Sequence, residues 1–355
     1  MNSSEICSKF DVFADVGSYG NGHINDTYLC TTSPAFILQR INTDIFKNAD
    51  ELMENISNVT AHLKEKISAY GGNPDRETLI LIKTVDGKPY YRDEDGSCYR
   101  MYKFVENTVS IDVPENPNQM YETGKAFGKF QRMLDDFNAE ILHETIKDFH
   151  TTPKRVEQLK NAMESNPKDR LKDVQPEIEM ALHYAKYASA ITDAMAEGTV
   201  PMRVTHNDTK LNNILFDKDT LEGICVIDLD TVMPGSMLYD FGDALRFGAS
   251  TGAEDETDLS KIEFDLDMFD GFAKGFLAET GKCLTEKEIE LMPLSALIMT
   301  YECGIRFLAD YLNGDTYFKI HREHHNLDRA RTQLKLVKDI ESKLPLMSEI
   351  VKKYL

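Results

Sequence analysis

The sequence contains far fewer basic residues than acidic ones. Its 355 residues include 40 Lys and Arg against 60 Asp and Glu, which gives a formal net charge of −20. Nucleic acids and anionic membrane surfaces attract proteins that carry a positive field. We therefore expect neither of them to be the main partner of this protein.

Cysteines are few and scattered. The six cysteines stand at positions 7, 30, 98, 225, 283 and 303. They form no C-x-x-C pair and follow no regular spacing, so neither a disulfide framework nor a zinc site is expected. A reducing, cytoplasmic environment fits this distribution best.

Long uninterrupted hydrophobic runs are also missing. The first residues, MNSSEICSKFDVF, have no basic start followed by an apolar core, and the most apolar stretch, 291–312, contains Pro293, Glu302 and Arg306. A signal peptide and a membrane span are therefore not expected. Hydrophobic residues still make up 41% of the chain, and its length is typical of about two domains.

Short β-like runs dominate the first hundred residues. Runs of strand length alternate with turn residues, and Asp-Gly pairs at 86–87 and 95–96 predict tight turns between antiparallel strands. One helix is predicted over 48–66 from apolar residues three and four apart. This part of the chain is expected to form a small lobe of antiparallel strands and one helix.

A helical period takes over after residue 107. Helices are predicted over 120–137, 177–195, 266–277, 286–312 and 327–351, and a β-like segment over 202–234 interrupts them. The fold class indicated is α+β, with an N-terminal lobe over 1–105 and a larger, mainly helical lobe over 106–355. A cleft between two such lobes is a usual place for a small ligand.

A polar cluster in the β-like segment carries the candidate chemistry. Asp208 and Asn213 lie in one short loop, and Asp228 ends the apolar strand that follows it. Phosphoryl transfer from a nucleotide needs a base for the attacking hydroxyl and oxygen ligands for Mg²⁺. Asp208 can supply the base, Asn213 and Asp228 the metal ligands, and His206 a structural hydrogen bond. The competing interpretation is an ordinary polar turn.

Two further features fit nucleotide chemistry. Residues 17–23 read GSYGNGH, and backbone N–H groups of such a turn can approach phosphates closely, which makes Tyr19, Gly20 and Gly22 candidate nucleotide contacts. The turn is not a P-loop, because G-x-x-x-x-G-K-[ST] does not occur. Lys210 is a candidate to neutralise charge that develops on the transferred phosphoryl group.

The pattern H-x-D-x-K-x-x-N followed by an I-D strand end resembles the catalytic core of protein-kinase-like phosphotransferases, which include aminoglycoside, choline and sugar kinases. The resemblance implies their two-lobe fold. It also implies that Asp240, although part of a literal D-F-G, braces the catalytic loop, since Asp228 already occupies the metal position. No A-P-E motif follows, so a peptide substrate is not expected.

At closer range the chain resembles the N-acetylhexosamine 1-kinases. Segments such as YRMYKFVENTVS, PMRVTHNDTKLNNIL and VIDLDTVMPGSMLYDFGDALRFGAST are similar to signatures of that family, and the similarity extends from about residue 17 to residue 335. The resemblance implies ATP- and Mg²⁺-dependent transfer of the γ-phosphate to the anomeric hydroxyl of N-acetylglucosamine or N-acetylgalactosamine.

The same resemblance assigns further residues. It places Phe104 in the hinge whose backbone pairs with adenine, and it places His23, Asp208, Arg306 and Tyr317 in the sugar pocket. A guanidinium group and an aromatic ring suit sugar hydroxyls and the C–H face of a sugar ring. Alternatively, Arg306 pairs with Glu302 four residues earlier, and His23 only caps a strand.

One position departs from the wider superfamily. The third strand normally carries a Lys or Arg that contacts the nucleotide phosphates, whereas here Gln39 stands at that position. How the phosphates are held, and whether Glu51 or Glu54 forms an ion pair, is left open. Alternative functions are a kinase of choline, methylthioribose, homoserine or an aminoglycoside, and a non-catalytic nucleotide or sugar binder. A monomer is the default expectation.

Overall fold

The computed structural model describes residues 3–20 and 24–355, so the predicted contacts of Gly22 and His23 lie outside the described residues. The N-terminal part contains three helices and six strands up to residue 103. They are α1 (Ser3–Ser8), β1 (Asp15–Ser18), β2 (Asp26–Thr31), β3 (Phe36–Ile41), α2 (Ala49–Ala69), α3 (Pro74–Glu77), β4 (Leu81–Ile82), β5 (Tyr91–Arg92) and β6 (Cys98–Lys103).

The six strands form one antiparallel sheet. Their order is β1-β2-β3-β6-β4, with β5 also paired to β6. Because side chains alternate across a sheet, Leu38 and Met101 point to the face that packs with α1, where both are fully buried. Gln39 of β3 lies directly opposite Arg100 of β6, and both line the cleft between the lobes.

Helix α2 is tied to the C-terminal lobe. Asn48 caps its first turn by accepting from two backbone N–H groups. The buried Asn55 side chain donates to the carbonyl oxygens of His143 (2.8 Å) and Val232 (3.1 Å) and accepts from the His143 N–H group (2.8 Å). Because all its hydrogen-bonding groups are satisfied across the lobes, Asn55 fixes the helix at this point.

The C-terminal part is mainly helical and holds two small sheets. Its elements are β7 (Thr108–Val109), α4 (Pro117–Met133), α5 (Thr152–Ser165), α6 (Gln175–Tyr184), α7 (Ala190–Ala196), β8 (Arg203–Thr205), β9 (Ile214–Asp217), β10 (Gly223–Val226), β11 (Met233–Gly235), α8 (Met237–Gly248), α9 (Leu266–Thr280), α10 (Glu286–Asn313) and α11 (His325–Lys353). Strands β10, β9 and β7 form one sheet, and β11 pairs with β8.

Helix α10 forms the centre of this lobe. It is long and apolar enough to cross a membrane by length and composition, but 83% of its most apolar window is buried inside the protein. Large aromatic side chains such as Tyr301 and Tyr311 are almost fully buried along it. These observations identify α10 as the core helix of a folded lobe.

The predicted α+β, two-lobe fold is confirmed, with local differences. Of the β-like run LILIKTV that precedes the Asp-Gly pair at 86–87, only β4 is a strand, since Thr84 starts a turn in which its hydroxyl accepts from the Lys88 N–H group. The helix predicted over 177–195 divides into α6 and α7, and no Pro or Gly marks the break. Helix α5 was not expected from the sequence pattern.

Helices α4 and α9 pack with their backbones in close contact. A Cβ atom added at Gly275 would lie 2.0 Å from the Tyr121 carbonyl oxygen, and one added at Gly124 would lie 2.2 Å from that of Phe272. Distances this short exclude any side chain, so glycine is required at both positions. Helix α4 also carries Phe127, whose ring contacts His206 of the predicted catalytic loop.

Replacing Gly275 by Ala is expected to lower the free energy of unfolding by about 2 kcal/mol, because overpacking outweighs the better helix propensity of Ala. The measurement is urea denaturation followed by circular dichroism. Gly17→Ala is the matched control, since a Cβ there meets nothing within 4 Å. Equal stability of the two variants would contradict the close helix packing.

Candidate active site

His206 anchors the loop after β8 through buried contacts. Its ring is fully buried, contacts Phe127 and Phe130 edge-on, and its Nε2 lies 2.8 Å from the Ile227 carbonyl oxygen. Ile227 directly precedes Asp228. The histidine therefore joins the loop that carries Asp208 to the segment that carries Asp228, as the sequence suggested, and does not face the cleft as a base.

Asp240 at the start of α8 holds the backbone of the same loop. Its carboxylate accepts from the N–H groups of His206 (2.9 Å) and Asn207 (2.8 Å) and from the side chain of Gln131 (2.5 Å). Burial raises the pKa of Asp240, while these hydrogen bonds and the nearby His206 oppose the rise. Asn207 has a left-handed backbone, with φ of 65°, so the carboxylate fixes a sharp bend immediately before Asp208.

The side chains of Asp208, Lys210 and Asn213 are in direct contact. Lys210 Nζ lies 2.9 Å from Asp208 Oδ1, and Asn213 Nδ2 donates to Asp208 Oδ2 at 3.1 Å and to its carbonyl oxygen at 2.8 Å. The negative charge of Asp208 raises the pKa of Lys210, so the amine stays protonated. Because its amide nitrogen faces Asp208, Asn213 keeps its Oδ1 as an acceptor.

Asp228 lies beyond β10 in a left-handed backbone conformation, with φ of 59°. Burial and the negative charges of Asp230 and Asp208 raise its pKa to about 6, and Arg100 opposes the rise. A carboxyl group whose negative charge is disfavoured by its surroundings is one that a cation would stabilise. The geometry therefore fits a bound cation at Asp228.

The oxygen donors of this region do not form a site built from protein side chains alone. Within residues 3–20 and 24–355, no group of three or more His, Cys, Asp or Glu side chains is placed to hold a metal ion. Mg²⁺ is usually bound through one or two protein oxygens together with phosphate and water. Asn213 Oδ1 and the Asp228 carboxylate are such a pair.

The interlobe cleft has a volume of ≈ 540 Å³ and contains the predicted nucleotide contacts. Tyr19, Gly20, Phe104, Asn213 and Asp228 all line it, and the Tyr19 and Phe104 rings meet edge-on at 5.8 Å. A larger cavity of ≈ 760 Å³ lies on the outer side of the N-terminal lobe and includes none of these residues. The interlobe cleft, and not this larger cavity, therefore contains Asn213 and Asp228 of the candidate site.

The backbone N–H group of Phe104 already has a partner inside the protein. Its N–H group donates to the Ala35 carbonyl oxygen at 2.9 Å, as a continuation of the pairing between β3 and β6. A nucleobase could therefore use the carbonyl oxygen or the ring of Phe104, but not its N–H group. The sequence could not reveal this, because the hydrogen bond depends on how far the strand pairing extends.

Arg306 of α10 lies between two aromatic rings. Its guanidinium carbon is 5.6 Å from the Phe149 ring centre and 5.5 Å from that of Phe318. The alternative partner, Glu302, accepts instead from Thr152 Oγ1 at 2.6 Å and lies 2.8 Å from His150 Nδ1. Arg306 is therefore positioned by aromatic contacts and not by the ion pair that sequence spacing allowed.

The segment after α10 brings Tyr317 near Arg306. The carboxylate of Asp310 accepts from the backbone N–H groups of Thr316 (2.9 Å), Tyr317 (2.8 Å) and Phe318 (2.9 Å). The Tyr317 ring packs on Phe318 at 4.8 Å and is 70% exposed. The backbone hydrogen bond to Asp310 thus fixes Tyr317 at the surface, where most of its ring is exposed.

Three residues of this region were missed from the sequence. Phe149 supplies a ring for Arg306, and its neighbour His150 places Nε2 3.1 Å from the Asn207 carbonyl oxygen, next to Asp208. Arg155 donates to the Phe149 carbonyl oxygen at 2.8 Å, and burial together with nearby Arg306 lowers its pKa. Their roles depend on contacts between residues far apart in the sequence, which no local motif indicates.

A two-lobe fold with this loop and its carboxylates defines a small-molecule phosphotransferase. A model described as "Phosphotransferase enzyme family" matches residues 15–273. Because the match covers most of the chain, the protein belongs to the phosphotransferase enzyme family, which is similar to the aminoglycoside and choline kinases.

Solved structures with the same fold are kinases of small molecules. The microcompartment-associated aminopropanol kinase is 13% identical, with 98% of both chains covered and a TM-score of 0.66. An aminoglycoside phosphotransferase from Alicyclobacillus acidocaldarius is 13% identical over 99% of this chain and 97% of that chain, with a TM-score of 0.64. Spectinomycin phosphotransferase, solved with ADP and spectinomycin, is 13% identical over 96% of both chains, with a TM-score of 0.59.

Asp228→Asn is expected to stabilise the metal-free protein while abolishing activity. Since the native pKa of about 6 lies above the ordinary 3.8, the native state binds the proton more tightly, and stability is lost as the pH rises through 6. The melting temperature of the variant should exceed that of the wild type by about 2 °C near pH 8. This difference should shrink towards pH 4. Turnover should fall at least about 100-fold, because even outer partners of a metal site are worth 10- to 100-fold.

Thermal melting across this pH range, together with ADP release, provides the measurement. Asp219→Asn is the matched control, because Asp219 is exposed in the turn between β9 and β10. A melting difference that does not change with pH would contradict the electrostatic account of Asp228.

Proposed function

We propose that the protein transfers the γ-phosphate of ATP, with Mg²⁺, to the anomeric hydroxyl of an N-acetylhexosamine, either N-acetylglucosamine or N-acetylgalactosamine. The observation that carries the choice of acceptor is the placement of Arg306 between Phe149 and Phe318, with Arg155 nearby. The proposed division of labour assigns residues 1–105 to the nucleotide and 106–355 to catalysis and the acceptor.

The proposed chemistry follows from the contacts of Asp208. Its carboxylate orients the acceptor hydroxyl and takes its proton as the oxygen attacks the γ-phosphorus and the bond to ADP breaks. Lys210, 2.9 Å from Asp208, offsets negative charge on the transferred phosphoryl group. Asn213 and Asp228 would hold Mg²⁺, which neutralises charge on the β- and γ-phosphates when bound.

The charge of the acceptor region favours a neutral acceptor over a cationic one. Arg155 and Arg306 are close enough that Arg306 helps to lower the pKa of Arg155. Glu302 and Asp148 act on Arg155 with the opposite sign, so the rejection of an ammonium group requires that it lie closer to the two guanidinium groups than to these carboxylates. Sugar hydroxyls and an acetamido oxygen, in contrast, can accept from guanidinium N–H groups.

A second candidate is a kinase of an amino alcohol or an aminoglycoside. The names of the related solved structures support it, as does a choline/ethanolamine kinase family protein from Mesorhizobium loti, 14% identical over 96% of this chain and 92% of that chain, with a TM-score of 0.55. The net charge of −20 also suits cationic acceptors. We propose a cytoplasmic monomer for either candidate.

The two candidates are separated by an acceptor panel. ADP release is measured with N-acetylglucosamine, N-acetylgalactosamine, glucose, choline, aminopropanol and kanamycin. We expect turnover with the N-acetylhexosamines to exceed that with any amine at least about 10-fold, the discrimination typical of one or two unsatisfied polar groups. Faster turnover of choline, aminopropanol or kanamycin would replace the proposal with the second candidate.

Asp208→Asn removes the proposed base and should lower the turnover number about 100- to 10,000-fold, the usual contribution of a positioned general base. The Michaelis constant for ATP should change little, because Asp208 acts on the acceptor. The exposed Asp219→Asn variant should keep wild-type turnover. Retention of most activity by Asp208→Asn would show that another group accepts the proton.

Arg306→Gln is expected to raise the Michaelis constant for the sugar about 10- to 100-fold, because hydrogen bonds from a charged donor are lost. The Michaelis constant for ATP should stay within about threefold, well below the tenfold step that one such bond represents. Steady-state kinetics with each substrate varied in turn make this measurement. Equal changes for both substrates would mean that Arg306 only supports the fold.

A further inference from the structure

Arg100 faces Gln39, the residue that stands where the third strand of related kinases carries a Lys or Arg. It lies across from Gln39 in the pairing of β3 with β6, and its Nε donates to Gln39 Oε1 at 3.0 Å. Its side chain is 1% exposed, and its guanidinium carbon lies 5.4 Å from the centre of the Tyr102 ring. The cation is therefore present at this level of the sheet, but on the neighbouring strand.

The partner of Arg100 belongs to the other lobe. Arg100 Nη1 forms an ion pair with Asp230 Oδ1, and both side chains are buried. Asp230 is two residues after Asp228, and its other oxygen accepts from Asn25 Nδ2 at 2.6 Å. In protein kinases, a third-strand Lys pairs with a Glu of the helix. Here Glu54 of α2 instead lies 3.0 Å from His143.

Binding of a nucleotide next to Asp228 requires a positive charge in the cleft. A nucleoside triphosphate brings several negative charges to a cleft that Asp228 already lines, and the buried Asp230 lies two residues further along the chain. Among the described residues that line the cleft, positive charge comes from Arg100 and Lys103, and Lys103 Nζ lies 2.7 Å from Asp75. Both cations are paired, but Arg100 pairs with Asp230, two residues from Asp228, and its charge also acts on Asp228 itself. Arg100 is therefore the cleft cation next to the candidate metal ligand.

Arg100 also has donors to spare. Its hydrogen bonds to the described residues use Nε and one hydrogen of Nη1, which leaves the second hydrogen of Nη1 and both hydrogens of Nη2. The neighbouring Tyr102 hydroxyl lines the same cleft, is buried, and has no hydrogen-bond partner within the described part of the chain. Buried polar groups without partners are uncommon, so a polar ligand is expected at this floor of the cleft.

We propose that Arg100 binds the α- or β-phosphate of the nucleotide through Nη2, in place of the usual third-strand cation, while Gln39 and Asp230 hold its guanidinium group in position. This inference rests on the proposed kinase function and assigns the binding of the nucleotide phosphates to Arg100. It also assigns Asp230 as a positioning residue that links the nucleotide sheet to the metal loop.

The test measures the binding of ATP and of adenosine by calorimetry with no acceptor present, so it does not depend on which acceptor is phosphorylated. In Arg100→Gln, ATP affinity is expected to fall about 10- to 100-fold, because a charged hydrogen bond to phosphate is lost. Adenosine affinity should change by less than about threefold, because adenosine has no phosphate. Equal losses for both ligands would mean that Arg100 only braces the fold and would overturn the proposal.

A swapped variant tests the same claim with one cation and one amide retained at the two facing positions of β3 and β6. Gln39→Lys combined with Arg100→Gln returns the cation to β3 and keeps the two side chains opposite each other. The ratio of ATP affinity to adenosine affinity should return to within about tenfold of the wild-type ratio. A folded swap variant that binds ATP no more tightly than adenosine would contradict the proposal, and this outcome remains readable if Arg100→Gln alone does not fold.

Discussion

The buried carboxylate of Asp240 is the constraint on which the active loop depends. By accepting from the backbone N–H groups of His206 and Asn207, at 2.9 and 2.8 Å, it forces the bend that presents Asp208 to the cleft. A carboxyl group in such surroundings is tolerated because its oxygens are hydrogen-bonded. The position of Asp208 thus comes from α8 as much as from its own loop. This bracing leaves the Asp208 side chain free to contact Lys210 and Asn213.

Charge is distributed unevenly over the molecule. The formal net charge is −20, yet the proposed sites of substrate contact contain buried or partly buried arginines, one in the nucleotide cleft and two in the acceptor region. Local charge decides which ligand is stabilised, while net charge governs solubility and long-range attraction. A strongly acidic protein can therefore hold an anionic nucleotide, provided that a cation such as Arg100 stands beside the carboxylates.

The sequence predicted those parts of the fold and site whose residues lie close together along the chain. The helix periods of α2 and α9 to α11 are local, and so is the spacing of Asp208 and Asn213. The Arg100–Asp230 pair joins residues 130 positions apart, and Phe149 meets Arg306 only because the turn before α5 packs against α10. Such contacts depend on tertiary structure, which is why neither was predicted. The hydrogen bond of the Phe104 N–H group was missed for the same reason.

The central claim is phosphate transfer to the anomeric oxygen of a neutral amino sugar. Phosphorus and proton NMR of the product formed from ATP and N-acetylglucosamine tests it most directly, because the coupling of phosphorus to a sugar proton identifies the substituted carbon. The account predicts coupling to the proton on C1. Coupling to the protons on C6, or the absence of any phosphorylated N-acetylhexosamine, would contradict it.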